Sequence, residues 1–359
     1  MIRDRVPYSI PVPNNMGMVR YILMFSVLAG HFNQLCGLKD TIWFPFNGYE
    51  GVGGFFALSG YLIYSSYLHK RDFGRFVMAR FRRLMPAYAA TVLLCAFGLV
   101  AVSTLSAAEY FSDTGFWKYL AANLTFLNFL HPGLPGVFEG LVNTSVNGSL
   151  WTLKVEWVLY LSVPAVLILI RRYPRYTGVI LLSVYTASVL YRMSMLHIYE
   201  STGRGIYETL SRQFAGQLMY FYTGVLCYYY FSALMRHRLT VAICAVAAMI
   251  VSSHMPYMWS LALQPAALGT LVILVSMTGR WGTWEYRHED MSYNVYLVHF
   301  PLMQIVAYYG LVEAVRQATG SVAAADISVF AAVTAASFLL ARVLNLTVVR
   351  PIGAIKKRI

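Results

Sequence analysis

Met18-Val19-Arg20-Tyr21-Ile22-Leu23-Met24-Phe25-Ser26-Val27-Leu28-Ala29-Gly30-His31-Phe32 decides how this chain is built. The run is apolar except for an arginine and a histidine eleven residues apart. As a helix rising about 1.5 Å per residue, it separates Arg20 from His31 by roughly 16 Å along the axis. Eleven steps of about 100° return nearly to the starting angle, so both side chains share one face. With Arg20 at a membrane surface, His31 falls near the mid-plane, where ionisable residues are costly and mark function. The pair suits an enzyme that grips an anionic donor at the surface and moves protons inside.

Outward from this run the composition is that of an integral membrane protein. Hydrophobic residues make up 58% of the 359, charged residues 12%, and the mean hydropathy is +0.57. A soluble domain carries about twice that charged fraction. No stretch long enough for a separate soluble domain lacks apolar runs, so residues 1–359 read as one integral-membrane domain. The N-terminus lacks the h-region and small-residue cleavage site of a signal peptide, so the first span is expected to be retained. The net charge of +13 falls in short clusters between apolar runs, which argues for membrane orientation and against nucleic acid. Cys36, Cys95, Cys227 and Cys244 lie in or beside apolar runs without CxxC spacing, so neither a disulfide framework nor a metal site is expected.

Apolar runs predict an all-α chain with about ten transmembrane helices: 19–38, 50–68, 86–105, 149–170, 177–194, 214–234, 239–254, 260–278, 291–310 and 326–346. The segment 117–131 is apolar but holds Asn123, Asn128 and His131, and reads as a partly embedded piece. Basic clusters (His69-Lys70-Arg71 to Arg83, Arg171-Arg172, Arg175, Arg236, Arg238, Arg280, Arg287, Arg350 and Lys356-Lys357-Arg358) fall on one side. Lys39, Lys118, Arg204, Arg212 and Arg316 fall on the other. Both termini are therefore expected in the cytoplasm, with 1–18 an N-terminal cytoplasmic segment and 347–359 a basic cytoplasmic tail.

Several residues carry candidate chemistry. Arg80 and Arg83 are three apart, on one helical face. They are either positive-inside anchors or a forked phosphate grip, and with Arg20 they would ring one cytoplasmic mouth. His31 accepts a proton near neutral pH. His299, buried at similar depth, reads equally as a structural hydrogen bond or a substrate contact. Glu156 is a partner for Lys154 or a buried arginine, or it orients the histidine or an arginine. Ser59-Gly60 places a hydroxyl and a small residue inside a span, which alone means close helix packing.

Together these blocks resemble acyltransferase family 3, integral-membrane enzymes that acylate sugars of bacterial surface polysaccharides, glycolipids and some secreted metabolites. The resemblance rests on Arg20 with ten residues before His31, Gly54-Phe55-Phe56-Ala57-Leu58-Ser59-Gly60-Tyr61, and Arg80-x-x-Arg83 followed by Leu84-Met85-Pro86-Ala87-Tyr88. It continues in Asn147-Gly148-Ser149-Leu150-Trp151-Thr152-Leu153-Lys154-Val155-Glu156 and Ser292-Tyr293-Asn294-Val295-Tyr296-Leu297-Val298-His299-Phe300-Pro301. It implies an acyl-CoA co-substrate, usually acetyl-CoA, with no permanently bound cofactor. It implies His31 as the key catalytic residue, Glu156 near the catalytic centre, and Arg20, Arg80 and Arg83 as donor-binding residues. From the motif blocks, Ser59, Asn147, Ser149, Trp151, Tyr296 and His299 are candidate substrate contacts.

The expected partners are acyl-CoA, a carbohydrate acceptor and the lipid bilayer, in a multi-pass protein of the bacterial inner membrane. Lys154, a cation two residues before the acid, departs from the family pattern. The chain also ends without the extracytoplasmic esterase-like domain of some relatives, so direct transfer to the acceptor or a separate partner is expected. The rival readings are a polytopic exporter and an acyltransferase using succinyl or longer donors. The former needs no phosphate-ready arginines.

Overall fold

The computed structural model describes residues 14–352 except 39–41, 43, 45, 71 and 280–289. Lys39, Arg71, Arg280, Arg287, the tail Lys356-Lys357-Arg358 and most of segment 1–18 lie outside the described residues. Among the described residues there is no strand. The helices are α1 (Met16–Leu35), α2 (Gly48–Lys70), α3 (Phe73–Gly98), α4 (Ala107–Ser112), α5 (Thr114–Leu124), α6 (Trp151–Arg172), α7 (Thr177–Thr202) and α8 (Gly205–Ser211). They continue with α9 (Phe214–Tyr229), α10 (Phe231–Arg236), α11 (Arg238–Ser253), α12 (Tyr257–Ser260), α13 (Gln264–Met277), α14 (Ser292–Tyr308), α15 (Leu311–Thr319) and α16 (Val322–Leu344).

A helix covers each of the ten apolar runs, with shifted ends. α3 starts thirteen residues before the expected 86, because Phe73–Met85 continues the helix with a charged surface that hydropathy does not register. The run 214–234 is broken at Tyr230 into α9 and α10. Pro265 sits in the first turn of α13, where its missing N–H costs nothing. Among the described residues, four helical stretches are long and apolar enough to cross a membrane: Phe73–Val102, Gly148–Arg172, Pro174–Thr202 and Val322–Ile352. The pair α14 and α15, bent by 59°, makes a fifth if counted as one span. α5, with 11 residues, rises only about 16 Å, half the thickness of a hydrocarbon core.

The helices fall into two units of interleaved sequence. The first comprises residues up to Leu23, Tyr49–Val77 and Val155–Glu289. Its α2 and α9 cross at glycines. A Cβ on Gly60 would lie 1.9 Å from the Phe221 carbonyl oxygen, and one on Gly224 would lie 1.9 Å from that of Ala57. Two backbones approach this closely only where side chains are absent, the usual way helices associate without a hydrophobic driving force. α7 and α13 pack on α9, and α11 packs on α13.

The second unit comprises Met24–Gly48, Met78–Lys154 and Asp290 onward. α14 packs on α16, and α15 folds back along it. The fold-back is fixed by Arg316, whose Nε and Nη2 donate to Oδ1 of fully buried Asp326 at 3.1 and 2.8 Å. The aromatic connection before α6 is tied to the helices through its backbone. Gln304 Nε2 donates to the carbonyls of Asn143 (2.7 Å) and Ser145 (2.8 Å). The Tyr88 hydroxyl donates to the Asn123 carbonyl.

Candidate active site

The site in the second unit begins with a proline. Pro301 lies inside α14 and has no N–H, so the carbonyl four residues earlier, that of Leu297, lacks its helical donor. A buried carbonyl must be matched. Here the donor is Asn147 Nδ2, at 2.8 Å. The other end of the same amide caps the turn Gly148–Leu150, accepting from the Ser149 N–H at 3.2 Å and its hydroxyl at 2.7 Å. Thr152 Oγ1 donates to the Ser149 carbonyl at 3.0 Å and lies 2.8 Å from the Tyr296 hydroxyl. Gly148 is required because a Cβ there would strike the Phe300 ring at 2.6 Å. The Asn-Gly-Ser motif thus braces the proline-containing helix that carries His299.

His299 is fully buried. Its Nδ1 lies 2.7 Å from the Tyr296 carbonyl oxygen. A carbonyl only accepts, so Nδ1 carries the proton. In the neutral ring Nε2 then holds the lone pair. That Nε2 lies 2.8 Å from His31 Nδ1, so with both rings neutral His31 donates from Nδ1. Its own Nε2 is left proton-free. The two rings are nearly parallel, 11° apart, with centroids separated by 5.1 Å. The edge-on ring of Phe300, 5.1 Å away at 83°, fixes His31 from another side. The outcome is a half-buried imidazole whose orientation and tautomer are set by its neighbours, the arrangement a general base requires.

The remaining candidates are distributed as follows. α1 is unbroken from Arg20 to His31, as the eleven-residue spacing assumes. Arg80 and Arg83 stand one turn apart on α3, half-buried and exposed respectively. Glu156, in the first unit, accepts from Ser59 Oγ at 3.3 Å and from the Tyr160 hydroxyl. Trp151 opens α6, half-buried. Asn147, Ser149 and Tyr296 are buried, with bonds inside the brace.

The acyltransferase domain family matches residues 14–345. This chain belongs to acyltransferase family 3. Its match takes in α1 through α16 and every candidate residue above. The chain is 30% identical over 153 residues to an O-acetyl transferase of Shigella phage Sf6, covering 41% of this chain and 44% of that protein. It is 28% identical over 181 residues to Nodulation protein 10 of Rhizobium leguminosarum bv. viciae, covering 45% and 46% respectively. The chain thus spans less than half the length of these curated relatives. No solved structure matches it.

Two features of this family 3 chain were not anticipated. Lys154 places its Nζ 4.4 Å over the Phe129 ring. The cation is held by an aromatic face. The second feature is Arg192, buried on α7, which sequence reading passed over. The signal was available: an arginine inside the apolar run 177–194, two residues before its end.

Proposed function

We propose that this family 3 chain is a membrane-bound O-acyltransferase that moves an acyl group, acetyl in the first instance, from acyl-CoA to a carbohydrate hydroxyl. A surface polysaccharide or glycolipid is the acceptor class this reading favours. The observation that carries it is the 2.8 Å contact of His31 Nδ1 with His299 Nε2, which, with both rings neutral, leaves Nε2 of His31 proton-free.

A sugar hydroxyl is a weak nucleophile and needs a base within hydrogen-bond reach. His31 Nε2 takes the hydroxyl proton as the oxygen attacks the thioester carbonyl. The C–S bond then breaks, and the CoA thiolate recovers the proton from Nε2, giving ester and free thiol. While His31 is an imidazolium, its Nδ1–H still donates to His299 Nε2, so the charge forms against an acceptor already in place. Removing such a base costs roughly 10²–10⁴-fold in rate.

Arg80 and Arg83 offer forked donors for the CoA phosphates. Arg20, about 16 Å along α1 from His31, is assigned to donor binding on the family resemblance. Glu156, held by Ser59 and Tyr160, is assigned a supporting role on the family resemblance. The proposed setting is the bacterial inner membrane, with ten spans and both termini cytoplasmic.

Donor binding tests the reading without knowledge of the acceptor. Acetyl-CoA titrated into the detergent-purified full chain should bind saturably. Arg80→Ala/Arg83→Ala should weaken that binding, with a smaller salt dependence than wild type. Absence of binding by folded wild-type protein would remove the acyl-CoA reading.

A further inference from the structure

Arg192 lies in the apolar stretch Pro174–Thr202, with 4% of its surface exposed. Nη2 donates to the Tyr257 hydroxyl at 2.8 Å. Nε is buried without a partner, and among the described residues no carboxylate lies within ion-pair reach of this guanidinium. Glu50 is near: it and Arg192 both lie within electrostatic reach of Tyr220. It does not pair with Arg192, however, and its Oε1 accepts from Gln264 Nε2 at 2.6 Å.

A guanidinium has five N–H donors and cannot shed its charge. With Nε buried without a partner and Nη2 on a neutral hydroxyl, part of its desolvation is uncompensated. Fixed cations within spans are costly and mark binding positions. The missing partner is an oxyanion, which accepts forked, charge-assisted bonds. The surroundings indicate what carries it. Tyr257, the residue bonded to Arg192, is 55% exposed. Flat apolar rings with polar rims are suited to a sugar.

We propose that Arg192, gated by Tyr257, binds the carboxylate or phosphate of an anionic saccharide. The inference deepens the acyltransferase reading by giving its acceptor an acidic group. Binding at Arg192 is measured without turnover or acetyl-CoA, so failure here and failure of that reading are separable.

The test uses the full chain in phosphatidylcholine nanodiscs, titrated at constant ionic strength with glucuronic acid or with glucose, and reads thermal unfolding. Glucuronate should raise the midpoint saturably and glucose should not. Arg192→Gln should weaken glucuronate binding by tenfold or more, the loss expected for charge-assisted bonds. Tyr257→Phe, which removes the competing hydroxyl and leaves the guanidinium, should retain it. If Arg192→Gln does not fold, the wild-type contrast between the two sugars and the Tyr257→Phe titration still decide. No effect of glucuronate on wild type, or an equal effect on folded Arg192→Gln, overturns the proposal. Replacing part of the lipid with phosphatidylglycerol tests the other source of an oxyanion. Stabilisation by that lipid alone, lost in Arg192→Gln, would assign the guanidinium to a headgroup and overturn the saccharide.

Discussion

The α2–α9 crossing in one unit and the α14 brace in the other hold helices by opposite means. At the crossing, Gly60 and Gly224 bring backbones together by leaving atoms out. At the brace, a carbonyl freed by Pro301 is claimed by Asn147, and each buried bond adds to the next. A contact made by omission accepts no addition, whereas a contact made from hydrogen bonds can be weakened in steps. Proton chemistry needs the second kind, because it fixes which nitrogen of an imidazole carries hydrogen. His299 sits on the braced helix and meets His31 from there, in keeping with that requirement.

The comparison can be broken most severely at Gly60. Gly60→Ala places a methyl 1.9 Å from a backbone carbonyl, which no rotamer change relieves. Folded protein recovered from membranes should fall to near zero, as judged by size-exclusion chromatography. A well-folded Gly60→Ala protein would show that the crossing has slack. Next in size is His31→Ala, which should lower acyl transfer by roughly 10²–10⁴-fold while sparing yield. Normal turnover by the folded variant would strip His31 of its role. Asn147→Ala leaves the Leu297 carbonyl buried without a donor and should cost about 1–3 kcal/mol in reversible unfolding. In a Pro301→Ala background the helix regains an N–H for that carbonyl, so the same substitution should cost less. Equal costs in both backgrounds would mean that Pro301 does not create the need for Asn147. The smallest effect is expected from Thr152→Val, which removes the contact with the Tyr296 hydroxyl and should cost about 0.5–1.5 kcal/mol.

The helices were legible because apolar runs survive averaging, and the Arg20–His31 relation was legible because both residues lie on one helix. α3 began earlier than its run since a helix leaving the apolar region keeps its hydrogen bonds but not its hydropathy. The partnership of His31 with His299 spans 268 positions, and no local period records it. Pro301 announced a free carbonyl at Leu297, yet only the fold reveals that Asn147 meets it. Arg192 escaped because one arginine barely lowers the mean of a long apolar stretch, although its cost when buried is large.

The central claim is that His299 holds His31 with its proton on Nδ1 and its base at Nε2. Nitrogen NMR of the [15N]histidine-labelled full chain, with His31→Gln used to assign the signals, reads this directly. The account predicts a neutral His31 protonated at Nδ1 in the wild type and a mixture of tautomers in His299→Ala. A wild-type His31 carrying its proton on Nε2 would contradict it.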